Sequence, residues 1–86
     1  MNVGPKTMRL LKAMRGQLGE ASASRSVDAV DAADAIGMAT ATGDFDGRLR
    51  DLVRAGYLEP DPNFPAPTTR GMYRITAAGI SAADNY

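Results

Sequence analysis

The chain has 86 residues, ten basic against ten acidic for a formal net charge of zero, and neither cysteine nor histidine. A length of this order makes one domain with a thin core, burying about 60 to 65% of the surface its unfolded form exposes, and without cysteine no disulfide or thiolate metal site reinforces it. Lacking both residue types, the sequence has no conventional nucleophile and base pair and few metal ligands, which argues against an enzyme, a cofactor or a metal.

In chain order, Thr7, Leu10, Leu11, Met14 and Leu18 fall at three- and four-residue spacing and predict an amphipathic first helix over 6–18. Lys6, Arg9, Lys12 and Arg15 occupy its other sides. Successive members of that series drift by about 60° around a helix, so they make a broad solvated flank rather than a stripe. Gly16 and Gly19 weaken continuation, and Ala21-Ser22-Ala23-Ser24-Arg25-Ser26 reads as a small polar linker.

A second helix is predicted over 28–37, with Asp28 as its cap and Asp31 three residues on, similar to a capping box in which aspartate replaces the usual longer acid. Val30, Ala33 and Ile36, with Ala32, supply its narrow apolar face, and Gly37 is placed to stop it. The third helix is predicted over 42–55, where Phe45, Leu49, Leu52 and Val53 lie within an arc of roughly 100°. Gly56 is its stop. Strands are predicted over 57–59 and 72–76, joined by a loop that Pro60, Pro62, Pro65 and Pro67 stiffen. Thr76 is placed to cap a short last helix over 77–84. The whole chain, 1–86, reads as one unit.

The signs of charge are segregated along the sequence. Residues 1–25 carry Lys6, Arg9, Lys12, Arg15 and Arg25 against Glu20; Asp28, Asp31, Asp34, Asp44 and Asp46 follow without a base; from 48 to 74 Arg48, Arg50, Arg54, Arg70 and Arg74 prevail. A neutral chain can thus present a basic surface once folded. Asp28, Asp31 and Asp34 lack the loop and glycine of a calcium site, and neither GxGxxG nor GxxxxGK occurs. No apolar run approaches the roughly 20 residues that span a bilayer, nor is there a secretory layout at the N-terminus, so a cytoplasmic location without a membrane partner is expected.

Asp31-Ala32-Ala33-Asp34-Ala35-Ile36-Gly37-Met38, then Leu49-Arg50-Asp51-Leu52-Val53-Arg54-Ala55-Gly56-Tyr57-Leu58, then Tyr73-Arg74-Ile75-Thr76-Ala77-Ala78-Gly79, resemble in order and spacing the winged helix-turn-helix family, particularly bacterial regulators of the MarR and PadR kind. The likeness covers 6–84. It implies a mainly α fold with a small β-hairpin: a three-helix core, a two-stranded wing and a short C-terminal helix. It also implies double-stranded DNA as partner, a homodimer, and transcriptional regulation, with the third helix in the major groove and the wing on the backbone.

On that resemblance the third helix turns Asp46, Gly47, Arg50, Asp51 and Arg54 outward, with Arg48 at the margin, and its arginines reach phosphate or the guanine edge. Arg70 and Arg74 hold the backbone from the wing, and Thr40 and Thr42 donate hydroxyls to phosphate near the helix N-terminus. Asp46 and Gly47 depart from the family, whose members commonly carry a hydroxyl and a base there, and the turn over 37–45 is about two residues longer than usual. An alternative for the arginines is helix surface, since Asp44 with Arg48 and Asp46 with Arg50 are spaced for intrahelical pairs. A second functional expectation is a protein-interaction module, of phage or mobile-element kind, contacting a protein through the acidic second helix and the proline-rich loop.

Overall fold

The computed structural model describes residues 3–18, 26–61 and 72–86. Among them run α1 (Pro5–Leu18), β1 (Ser26–Asp28), α2 (Ala29–Ala35), α3 (Gly43–Arg54), β2 (Leu58–Pro60), β3 (Met72–Ile75) and α4 (Ala77–Asp84). The fold is mainly helical with one small antiparallel sheet, in strand order β1-β3-β2.

α1 is the spine. Its buried residues are Thr7, Leu10, Leu11, Met14 and Leu18, the set its period singled out, and it packs against α2, α3, α4 and β1. Phe45, Leu49 and Leu52 of α3, Leu58 of β2 and Ile75 of β3 join the same core. Each large apolar side chain so enclosed contributes on the order of 1.5 to 3 kcal/mol.

The sheet differs from the two-stranded ribbon expected. β1 adds a third strand, pairing Ser26 with Arg74, Val27 with Tyr73 and Asp28 with Met72, so β3 is central rather than an edge. A run of three residues shows no period of its own, and this one forms because Val27 is buried and its backbone finds β3. β2 pairs Leu58 with Ile75, Glu59 with Arg74 and Pro60 with Tyr73. Pro60 thus lies on an edge strand, where its missing N–H does least harm.

Gln17 ties α1 to the start of α2. Its Nε2 donates to the Asp28 carbonyl at 2.9 Å, and its Oε1 accepts from the Asp28 N–H at 3.0 Å. The reciprocal half of the capping box therefore comes from α1 rather than from Asp31. Asp28 itself caps as expected, accepting from the N–H groups of Val30 and Asp31.

α2 and α3 end in the same way. Gly37 and Gly56 adopt φ of 72° and 82°, and the next residue folds back to the helix, Met38 N–H to Ala33 at 2.9 Å and Tyr57 N–H to Leu52 at 3.0 Å. Both are Schellman closures, which satisfy carbonyls the helix leaves open. The early stop corrects one apolar assignment: α2 buries Ala29, Ala32 and Ala33, while Ile36 is its C-cap and stays 40% exposed. Elsewhere the helices begin or end within a residue or two of expectation, and α4 occupies 77–84.

At the far end, Thr76 caps α4 by accepting from the Gly79 N–H at 3.0 Å and donates its own hydroxyl to the Gly56 carbonyl at 2.6 Å. Gly79 sits against the backbone of Tyr57. A Cβ there would overlap the Tyr57 carbonyl oxygen and come within 2.8 Å of Ile75 Cγ2.

Candidate nucleic-acid interface

The outward face of α3 is set by subtraction. With Phe45, Leu49 and Leu52 buried and Val53 half-buried, residues advancing 100° each leave Gly43, Gly47, Arg50 and Arg54 within an arc of about 60° on the opposite side. Arg50 and Arg54 are exposed, one turn apart, and no ion pair or hydrogen bond links either to another described residue. Gly43 and Gly47 continue that stripe toward the helix N-terminus, and a Cβ at either would meet open space.

Two further arginines of the expected site, Arg48 and Arg74, have partners within the protein. Arg48 Nε lies 3.0 Å from Asp44 Oδ2, and its Nη1 donates to the Thr7 hydroxyl at 3.0 Å. It braces α3 against α1. Arg74 on β3 places Nη2 3.7 Å from Asp61 Oδ1, a carboxylate only 1% exposed. Of the two intrahelical pairs expected on α3, Asp44 with Arg48 forms, and Asp46 with Arg50 is not among the ion pairs of the described residues.

The hydroxyl positions have local roles. Thr42 caps α3, its oxygen accepting from the Phe45 N–H at 3.3 Å. Thr40 and Asp46 are half-buried. Arg70, together with Pro62, Pro65 and Pro67 of the expected stiff loop, lies outside the described residues.

The basic flank of α1 divides in two. Lys12 Nζ donates to the carbonyl oxygens of Ala83 and Tyr86, each at 3.5 Å, and Arg15 Nε lies 3.3 Å from Asp84 Oδ1. These two cations complement the carbonyl end of α4, where the helix dipole favours positive charge. Lys6 and Arg9 turn instead toward the connection between α2 and α3.

The chain matches no protein-family model, no curated protein and no solved structure. No helix among the described residues is long and apolar enough to cross a membrane.

Three structural partners escaped the sequence. Asp61, Thr7 and Gln17 each meet a residue distant along the chain. Only Thr7 left a trace, because a hydroxyl inside an otherwise apolar stripe calls for a donor when buried; it is 3% exposed.

Proposed function

We propose that this chain is a small DNA-binding protein of winged-helix type, a transcriptional regulator of the cytoplasm that works as a homodimer and presents α3 to the major groove. What carries the reading is the state of Arg50 and Arg54: two exposed guanidinium groups one turn apart, without a carboxylate partner among the described residues, on a face shared with Gly43 and Gly47 and bordered by the exposed Asp51. The order helix, strand, helix, helix, strand, strand, helix, with β3 between β1 and β2, supports it.

The mechanism follows from the side chains. A guanidinium offers a planar fork of donors that matches O6 and N7 of guanine, and each such pair contributes about 1 to 3 kcal/mol of discrimination. The glycine half of the stripe lets backbone approach backbone, so the duplex can come close enough for the arginines to reach. Arg48 and Arg74 act on the protein instead, positioning α3 and β3 through Thr7, Asp44 and Asp61. A dimer would place two such helices on successive major grooves.

Fluorescence anisotropy with a labelled random duplex at low salt tests the proposal. Binding that weakens when Arg50 and Arg54 are both replaced by alanine, in a variant that stays folded, supports it. No binding at low salt overturns it and favours a protein-contact role. The second reading has its own observation: α2 exposes Asp31 and Asp34 beside Ile36, an acidic surface with an apolar edge.

A further inference from the structure

α2 carries acid and no base. With Ala29, Ala32 and Ala33 buried, residues advancing 100° each place Asp31 and Asp34 astride the opposite side, about 60° apart. Both are exposed, and neither carboxylate has an ion pair or hydrogen bond with another described residue. Arg50 and Arg54 are the converse on α3: exposed, one turn apart and without a carboxylate among the described residues. Where acid and base come within reach in this fold they pair, as Arg15 does with Asp84 and Arg48 with Asp44. α2 and α3 each pack on α1, and no ion pair joins Asp31 or Asp34 to Arg50 or Arg54, so these two faces do not neutralise each other within one molecule.

The faces match in spacing and in relief. Along a helix axis Asp31 and Asp34 are about 4.5 Å apart and Arg50 and Arg54 about 6 Å, a difference that long arginine side chains absorb. Small residues border both pairs: the exposed Ala35 on α2, and on α3 Gly43 and Gly47, where a Cβ would meet open space. Ile36, 40% exposed, follows at the end of α2. In an antiparallel docking that sets Asp34 opposite Arg50 and Asp31 opposite Arg54, Ile36 lies about 3 Å beyond Asp34 and Gly47 about 4.5 Å before Arg50, so the isoleucine falls over the glycine.

We propose that the acidic face of α2 docks on the α3 face of a second copy of this chain, a heterologous contact in which different surfaces of the two copies meet. Charge complementarity selects the partner. Exposed ion pairs are individually weak and are screened by salt, so the contact forms at low ionic strength and dissolves as salt rises. It rests on the same availability of Arg50 and Arg54 as the DNA-binding proposal but needs no duplex, so its failure leaves that proposal standing.

Two variants isolate the contact. Asp31→Ala with Asp34→Ala keeps only the α3 face, Arg50→Ala with Arg54→Ala keeps only the α2 face, and melting curves check that both fold. At low salt the apparent mass of the parent by sedimentation rises with concentration, and each variant alone self-associates more weakly, by on the order of fivefold or more. Mixing the two variants restores one contact. With the aspartate variant isotopically labelled and the arginine variant added unlabelled, amide NMR shifts group at Gly47, Arg50, Asp51 and Arg54, saturate, and vanish at high salt. With the labels exchanged they group at Asp31, Asp34, Ala35 and Ile36, and Ile36→Ser in the arginine variant weakens them several-fold. A parent that keeps one mass at low salt overturns the proposal and leaves the acidic face to a basic partner other than this chain. Shifts at Lys6 and Arg9 in place of α3, or association that neither variant weakens, overturn it as well.

Discussion

Arg48 of α3 donates from Nη1 to the Thr7 hydroxyl of α1 across 3.0 Å, joining residues 41 apart in sequence. Thr7 is 3% exposed and sits in an otherwise apolar stripe, so its hydroxyl depends on that donor. Replacing Arg48 by alanine leaves a buried hydroxyl without it and should lower the unfolding free energy by about 1 to 3 kcal/mol. Asp44→Ala should cost no more than about 1 kcal/mol, because the Asp44 side chain is 69% exposed. Urea unfolding distinguishes them. Pairing Thr7→Val with Arg48→Met should recover most of the loss, since removing both partners leaves no orphan. If Arg48→Ala proves as stable as the parent, the brace contributes nothing.

Two helical glycines should respond to the same substitution with opposite sign. Gly47 in α3 has open space where a Cβ would go, and Gly47→Ala should stabilise by about 0.5 to 1 kcal/mol through helix propensity. At Gly79 in α4 the added carbon would overlap the Tyr57 carbonyl, so α4 must lift off β3 or the Gly56–Tyr57 segment must move. Gly79→Ala should therefore destabilise by about 2 kcal/mol or more. Thermal melts of both variants check the contrast, and a Gly79→Ala melt at or above that of the parent would refute the close approach.

Thr76 joins the end of α3 to the start of α4 through one hydroxyl. It donates to the Gly56 carbonyl at 2.6 Å while accepting from the Gly79 N–H at 3.0 Å. Thr76→Val keeps the shape and removes both bonds, for an expected loss of about 1 to 2 kcal/mol. Thr76→Ser keeps the hydroxyl and should retain most of the stability. Equal losses for the two would mean the methyl group matters, not the hydrogen bonds.

The features legible in the sequence are those set by neighbours in the chain. The α1 core face follows from a period of 3.6, the caps at Asp28 and Thr76 from side chains that reach two or three residues ahead, and the helix stops at Gly37 and Gly56 from the positive φ that glycine adopts at low cost. What escaped depends on distant partners. Ser26–Asp28 becomes a strand only because β3 lies beside it, and Ile36 is exposed because the closure through Gly37 ends α2 before Ile36 can turn inward. The candidate site was legible as residue types and illegible as availability. A helical wheel sets Arg48 at the margin and Arg50 and Arg54 outside, and only the fold brings Thr7 to the first and leaves the others open.

That difference in availability makes the salt dependence of duplex binding the sharpest test of the α3 face. Each phosphate neutralised by a cation steepens the dependence of log affinity on log salt by about 0.9. If Arg50 and Arg54 contact phosphate, the double alanine variant should flatten the slope by about 2 and weaken all sequences alike. If they read guanine, the slope should change little while preference among sequences is lost. Arg74→Ala should leave both slope and preference as they were, because its guanidinium is turned to Asp61, 3.7 Å away and buried. An Arg74→Ala variant that flattens the slope as the α3 double variant does would show that the Asp61 contact opens on binding and that β3 carries part of the DNA surface.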